Sequence, residues 1–238
     1  MGHELLRLLC ALEKEKRSDV VMMLTHRYDM KVDPKIVAEV SEKFDVVVHV
    51  TTKRGNGWPE GPNAMFSDGY TKVVNMTRSG MKVSGVMFIE CDCVPLAENW
   101  IDLIKAEWEE ARKEGKLVLG PWLEKADANM RHINGNCVLS PLFWKECRGI
   151  FNCPPQIAWD AYHASAMMAN AKPSRTIFSD YKLGSDENPW KGDADLWKER
   201  SYGAKENPLY GEKFKPCWLH GSKLMKGILA AKKRLLTK

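Results

Sequence analysis

The chain has 238 residues, 44% of them apolar and 28% charged, with a formal net charge of +5, which is room for one sizeable α/β core of ordinary globular composition. It contains no run of eighteen apolar residues and does not open on a basic, apolar leader, so no membrane span or export signal is expected and the location expected is cytoplasmic. Seven cysteines, an odd number with no C-x2-C pair, argue against both a disulfide framework and a structural zinc site.

Residues 20–25, Val20-Val21-Met22-Met23-Leu24-Thr25, form a short apolar run bounded by charge, the pattern of a buried parallel strand. Residues 34–44 follow as a helix, with Pro34 in its first turn and Ile36, Val37, Val40 and Phe44 at helical spacing. A second strand is predicted over 45–51. Next comes a glycine-rich stretch, Arg54-Gly55-Asn56-Gly57-Trp58-Pro59-Glu60-Gly61-Pro62-Asn63, and then a helix over 63–80. Strand 83–89, helix 97–114 and strand 116–119 complete an alternation that points to a doubly wound, largely parallel sheet, with ligands at the carboxyl ends of its strands. Beyond it the spacing predicts a strand over 133–140 and a helix over 159–170. Residues 179–212 are polar and turn-rich, the composition of a long functional loop or a disordered one. Residues 213–238 hold eight Lys or Arg and no acid, on a remainder with 28 basic and 31 acidic residues. Such a tail suits a phosphate-bearing partner, DNA or an anionic surface; a solvated helix face is the competing account.

Three clusters carry candidate chemistry. Glu90-Cys91-Asp92 closes the apolar run Met87-Phe88-Ile89. In extended backbone, residues two apart point the same way, and two carboxylates at a strand end suit Mg²⁺ or Mn²⁺ bridging a diphosphate. Solvated or capping acids are the alternative. His220-Gly221-Ser222-Lys223 offers a neutral imidazole for a transition-metal ion, a glycine that lets backbone approach phosphate, and a point charge. Trp159-Asp160-Ala161-Tyr162-His163 opens the predicted helix at 159–170. An acid there is stabilised by the helix dipole whatever else it does, and it could also orient an acceptor or serve as a general base. Nine tryptophans include Trp58, Trp122, Trp190, Trp197 and Trp218 in or beside predicted loops, where an indole can stack on a sugar ring or an exposed base as well as complete a core.

The order of these blocks resembles a GT-A fold nucleotide-sugar glycosyltransferase across roughly residues 20–225. The resemblance implies a single α/β domain with a mostly parallel twisted sheet flanked by helices. Its donor-binding half would come first, at about 18–125, and its acceptor half at about 126–238. Thr25 resembles the family's nucleotide-base contact, with Arg27 grouped beside it. Glu90-Cys91-Asp92 is similar to the Asp-x-Asp metal motif, with Glu in the first place. Ile133-Asn134-Gly135-Asn136-Cys137-Val138-Leu139 resembles the strand that lines the donor sugar in glycogenin-like members. His220-Gly221-Ser222-Lys223 resembles their C-terminal His-x-x-Gly-x-x-Lys segment in compressed form, where the histidine completes the metal shell. Residues 54–63 look like a donor loop of phage-encoded members, a plain turn and helix cap being the alternative.

The resemblance implies Mn²⁺ or Mg²⁺ held by Asp92 and His220 with Glu90, and a UDP-sugar against Thr25, Arg27, Arg54, Gly57, Asn63, Glu90, Asn134, Gly135, Gly221 and Lys223. Asp160 is the catalytic candidate, and Trp122, His163 and Trp190 the acceptor candidates. Retention and inversion of configuration both stay open. The expected acceptor is a 5-hydroxymethylpyrimidine of double-stranded phage DNA, with a saccharide or lipid-linked hydroxyl as the alternative. Nucleotidyl transfer would call for a Gly-rich run near Thr25-His26-Arg27-Tyr28-Asp29, which has none, and a non-catalytic DNA-binding module is the rival from outside enzymology.

Overall fold

Leu5, Leu8, Leu9 and Leu12 fall at i, i+3, i+4 and i+7. Gly2–Leu12 is accordingly an amphipathic helix, α1, with those four side chains buried. The computed structural model describes residues 2–124, 131–179, 217–220, 233, 235 and 236. β1 (Arg17–His26), α2 (Pro34–Ser41) and β2 (Phe44–Val50) form a parallel βαβ unit, in register from Met22 opposite Val46 to His26 opposite Val50. Asp33 starts α2 by accepting the Lys35 N–H at 2.9 Å, and Pro34 takes the first helical position, where no N–H is needed. α3 (Glu60–Arg78) crosses β1 at Gly69, where an added Cβ would lie 3.5 Å from both Met23 and the Thr25 hydroxyl.

The later strands are short. They are β3 (Val86–Met87) and β4 (Cys93–Pro95) before α4 (Trp100–Lys113), then β5 (Val118–Gly120), β6 (Trp122–Glu124), β7 (Arg131–Ile133) and β8 (Val138–Leu139). α5 (Trp159–Tyr162) and α6 (Ala164–Ala169) precede β9 (Ala171–Pro173), β10 (Ile177–Ser179) and β11 (Trp218–His220). The chain is mixed α/β, as its alternation predicts, but the described strands make four small sheets instead of one wide, largely parallel one. β1 and β2 pair alone, and so do β6 and β7. β10–β11–β4 and β3–β8–β5–β9 each mix parallel with antiparallel pairs.

Local chemistry accounts for the shortening. Pro95 and Pro173 close β4 and β9, and Pro121 separates β5 from β6. The strand expected over 133–140 is split because Asn134 bends the chain back, its side chain accepting the Asn136 N–H at 3.0 Å. The helix expected over 159–170 is broken at His163 into α5 and α6.

Two buried clusters hold these layers together. One joins α1, α2 and α4 to β4 and to Trp218, whose ring lies 4.5 Å from that of Trp100. The other gathers α3, β8 and α5 around Phe66 and Trp159, stacked at 3.5 Å between centroids and 4° between planes. Each cluster takes residues from both sides of position 125. The buried Glu107 carboxylate on α4 accepts from the Ser174 hydroxyl at 2.8 Å and the Arg175 N–H at 2.7 Å, fixing the turn that leads into β10. No described helix is long and apolar enough to cross a membrane. Of the stretch 179–212 only Ser179 is described, and the basic tail lies almost wholly outside the described residues.

Candidate metal centre

β11 is the element that assembles the site. Its antiparallel register with β4 sets His220 opposite Cys93, and its parallel register with β10 sets His220 beside Ser179. Residues 90–92 do not continue a strand, as a strand-end pair would. The Cys93 N–H donates to the Glu90 carbonyl at 3.1 Å, closing a turn that carries Asp92 at its corner. Turn and strand together bring three groups to one place. His220 Nε2 lies 3.1 Å from Glu90 Oε2 and 3.4 Å from Asp92 Oδ1, and all three candidate ligand atoms lie within 4.8 Å of one another.

The geometry suits a divalent cation. Ligands about 2.1–2.2 Å from one ion sit about 3.0–3.6 Å apart, depending on whether it is octahedral or tetrahedral. The two histidine separations fall inside that interval. Side-chain exposure is 3% for His220, 21% for Asp92 and 50% for Glu90, so the imidazole forms the floor and the carboxylates a rim open to incoming ligands. Burial disfavours a charged imidazole, but hydrogen bonds and negative charge from Asp92 and Glu90 outweigh it, and His220 is pushed up to about 9. A proton thus joins the two carboxylates where an ion would otherwise do so.

Behind the ligands runs a buried polar network. Ser179 Oγ lies 3.3 Å from His220 Nδ1 and 3.2 Å from Asn134 Oδ1. Asn136 Oδ1 accepts the Glu90 N–H at 3.3 Å and the Cys93 thiol at 2.8 Å. The Gly135 N–H donates to Asp160 Oδ2 at 2.7 Å, and the Ala161 N–H to Asp160 Oδ1 at 2.9 Å. Burial raises the pKa of Asp160, against the lowering influence of His132, 4.0 Å away, and of those two N–H groups; Glu90 adds to the rise. Gly135 permits this close approach, since a Cβ would stand 3.1–3.3 Å from the Trp159 indole. Glu90, Asp92, His220, Asn134, Gly135 and Asp160, all expected from the sequence, therefore meet in one assembly. Ser179, Asn136 and His132 belong to it too. Asn136 stood in a recognised block, but no sequence signal singled out Ser179 or His132.

The remaining candidates are placed elsewhere or differently. Thr25 is the penultimate residue of β1 and lies against α3. Arg27 pairs with Asp29, and the Arg54 guanidinium lies 5.3 Å over the Tyr28 ring. Gly57 turns with φ of 68° beside the exposed Trp58. Asn63, expected to touch the donor, is a buried clamp whose amide donates to the Pro154 and Ile157 carbonyls and accepts the Trp159 N–H. His163, expected near an acceptor, is buried with one ring nitrogen 3.4 Å from the Cys147 sulfur and the other 3.5 Å from that of Cys153. Trp122 lies half-buried in β6, packed on the second cluster. Trp190, Gly221 and Lys223 lie outside the described residues. Comparison with models of protein families, with curated proteins and with solved structures finds no match for this chain.

Proposed function

We propose that the protein is a divalent-cation-dependent glycosyltransferase that moves a sugar from a nucleotide-diphosphate donor, a UDP-sugar in the first instance, to a hydroxyl group. The observation that carries this reading is the convergence of Glu90, Asp92 and His220, with ligand atoms within 4.8 Å, beside the turn at Asn134, Gly135 and Asn136. Glu90, Asp92 and His220 would hold Mn²⁺ or Mg²⁺, which would supply positive charge to offset that of the departing nucleotide. The protein's own share is positioning. β11 brings the imidazole to the turn at 90–93, the open rim at Glu90 admits the anionic donor, and the Asn134–Gly135 backbone would border the sugar. Asp160 behind that turn would hold it in place or take up the proton of the acceptor hydroxyl.

The acceptor we propose is the hydroxymethyl group of a modified pyrimidine in duplex phage DNA, which must be flipped or otherwise exposed to react. Its support is the net charge of +5, with eight basic residues in 213–238. The test is nucleotide release from a panel of nucleotide sugars with Mn²⁺ or Mg²⁺, with and without hydroxymethylated DNA. Release is expected from one donor, dependent on the ion and stimulated by that DNA. Release stimulated only by a saccharide or lipid-linked alcohol would reassign the acceptor. No release from any donor, together with DNA binding, would leave a non-catalytic DNA-binding module.

A further inference from the structure

The hydrogen bonds behind the candidate ligands favour one placement of protons. The backbone N–H of Asn136 lies 3.0 Å from the Asn134 side-chain atom taken as Oδ1. A backbone N–H only donates, so that atom is the oxygen and not the amide nitrogen. Ser179 Oγ is 3.2 Å from the same oxygen, and its single proton therefore points to Asn134. The serine lone pairs are left facing His220 Nδ1 at 3.3 Å, the arrangement that suits a proton on Nδ1. Without an ion, Nε2 shares a proton with Glu90 and Asp92; once a cation takes that proton's place, an imidazole protonated at Nδ1 presents its lone pair at Nε2, the atom facing both carboxylates.

We propose that Ser179 is a positioning residue: with its polarity set by Asn134, it holds His220 in the Nδ1–H form and aims the Nε2 lone pair at the cation shared with Glu90 and Asp92. Asn136 closes the ring from the other side. Its one side-chain oxygen receives both the Glu90 N–H and the Cys93 thiol, so the residues flanking Asp92 hang on a single amide. Ser179, Asn134, Asn136 and His220 are each at most 3% exposed, which keeps water from substituting for these bonds. The proposal rests on the metal-centre reading above and adds what presets that centre before an ion arrives. Outer partners of this kind orient a ligating histidine and fix its tautomer.

The test uses the full chain stripped with EDTA and Mn²⁺ alone as the probe. Ser179→Ala is expected to weaken Mn²⁺ binding about 10- to 100-fold with an unchanged circular dichroism spectrum, and Ser179→Thr to restore most of the affinity. Imidazole ¹⁵N spectra of the wild type loaded with diamagnetic Zn²⁺ should show His220 protonated at Nδ1, a measurement that needs no variant to fold. Mn²⁺ affinity of Ser179→Ala within twofold of wild type overturns the proposal while leaving the metal centre standing; an Nε2–H tautomer overturns the proposal and removes His220 from the ligands. A wild type that binds no Mn²⁺ overturns both.

Discussion

The Asp160 carboxylate accepts the Gly135 N–H at 2.7 Å across 25 residues of chain, joining the start of α5 to the turn that backs the candidate metal centre. Its other oxygen takes the Ala161 N–H, so both are committed to backbone. Asp160→Ala would leave two buried donors unpaired, at about 1–3 kcal/mol each, and should lower stability by about 2–5 kcal/mol in denaturant unfolding. Asp160→Asn keeps an oxygen for Gly135 and is expected to retain at least about a tenth of wild-type turnover. A loss of about 10²–10⁴-fold at unchanged Mn²⁺ affinity would instead mark Asp160 as the group that receives the acceptor's proton.

The same carboxylate makes stability depend on pH. Burial raises its folded pKa above the unfolded value of about 3.9. The stability favouring its neutral form is therefore fully present below about pH 4 and is lost as pH rises through the folded value, by at most about 1.4 kcal/mol per pH unit. His132 and Glu90 are the charged neighbours, the first opposing the shift and the second adding to it. Melting curves of the wild type and Asp160→Asn between pH 4 and 8 should diverge in favour of the asparagine variant as pH rises, then run level. Parallel curves throughout would remove the buried acid as their cause.

Gly135→Ala tests the packing on the opposite side of that turn. The new methyl would meet the Trp159 indole at 3.1–3.3 Å, and the indole cannot retreat because Phe66 is stacked on it at 3.5 Å. Overpacking of this kind costs about 1–3 kcal/mol. Gly57→Ala meets nothing within 4 Å, but it forces an L residue to φ of 68° and should cost about 1 kcal/mol. Equal, negligible losses at both positions would show that α5 moves freely relative to the turn.

Much of the site was legible because its chemistry is concentrated in short blocks: the acids at 90 and 92, the histidine at 220 and the Asn134-Gly135 pair. Extended backbone would bring acids two apart to one side, whereas here a turn presents them together; composition alone does not distinguish the two. Asn63 and His163 looked like ligand contacts because polarity near a loop is all a sequence displays. In the fold their polar atoms face carbonyls, an N–H and thiols brought close by pairings across the chain. α1 is readable from the helical spacing of Leu5, Leu8, Leu9 and Leu12. The sheets were less legible, since an apolar run such as 83–89 specifies extended chain but not the partner, and only Val86 and Met87 find one in β8. Ser179 is a residue type with no distinguishing spacing, and its relation to His220 exists only through the β10–β11 register.

The metal centre itself predicts an ordering among variants. A ligand that binds only the folded state stabilises it by about 2.7 kcal/mol at a hundred times its dissociation constant, and for a chain of this size that raises the melting temperature by about 5–10 °C. Mn²⁺ should produce such a shift in the wild type, and EDTA should reverse it. Asp92 is less exposed than Glu90, at 21% against 50% of the side chain, so its charge acts through less water. Asp92→Asn should therefore abolish the shift and any donor turnover, while Glu90→Gln, removing a rim ligand that water can replace, keeps part of both. His220→Ala should behave like Asp92→Asn in the presence of Mn²⁺. A Mn²⁺ shift that survives intact in both Asp92→Asn and His220→Ala would place the cation elsewhere on the protein and leave the three residues as a salt-bridged strand junction.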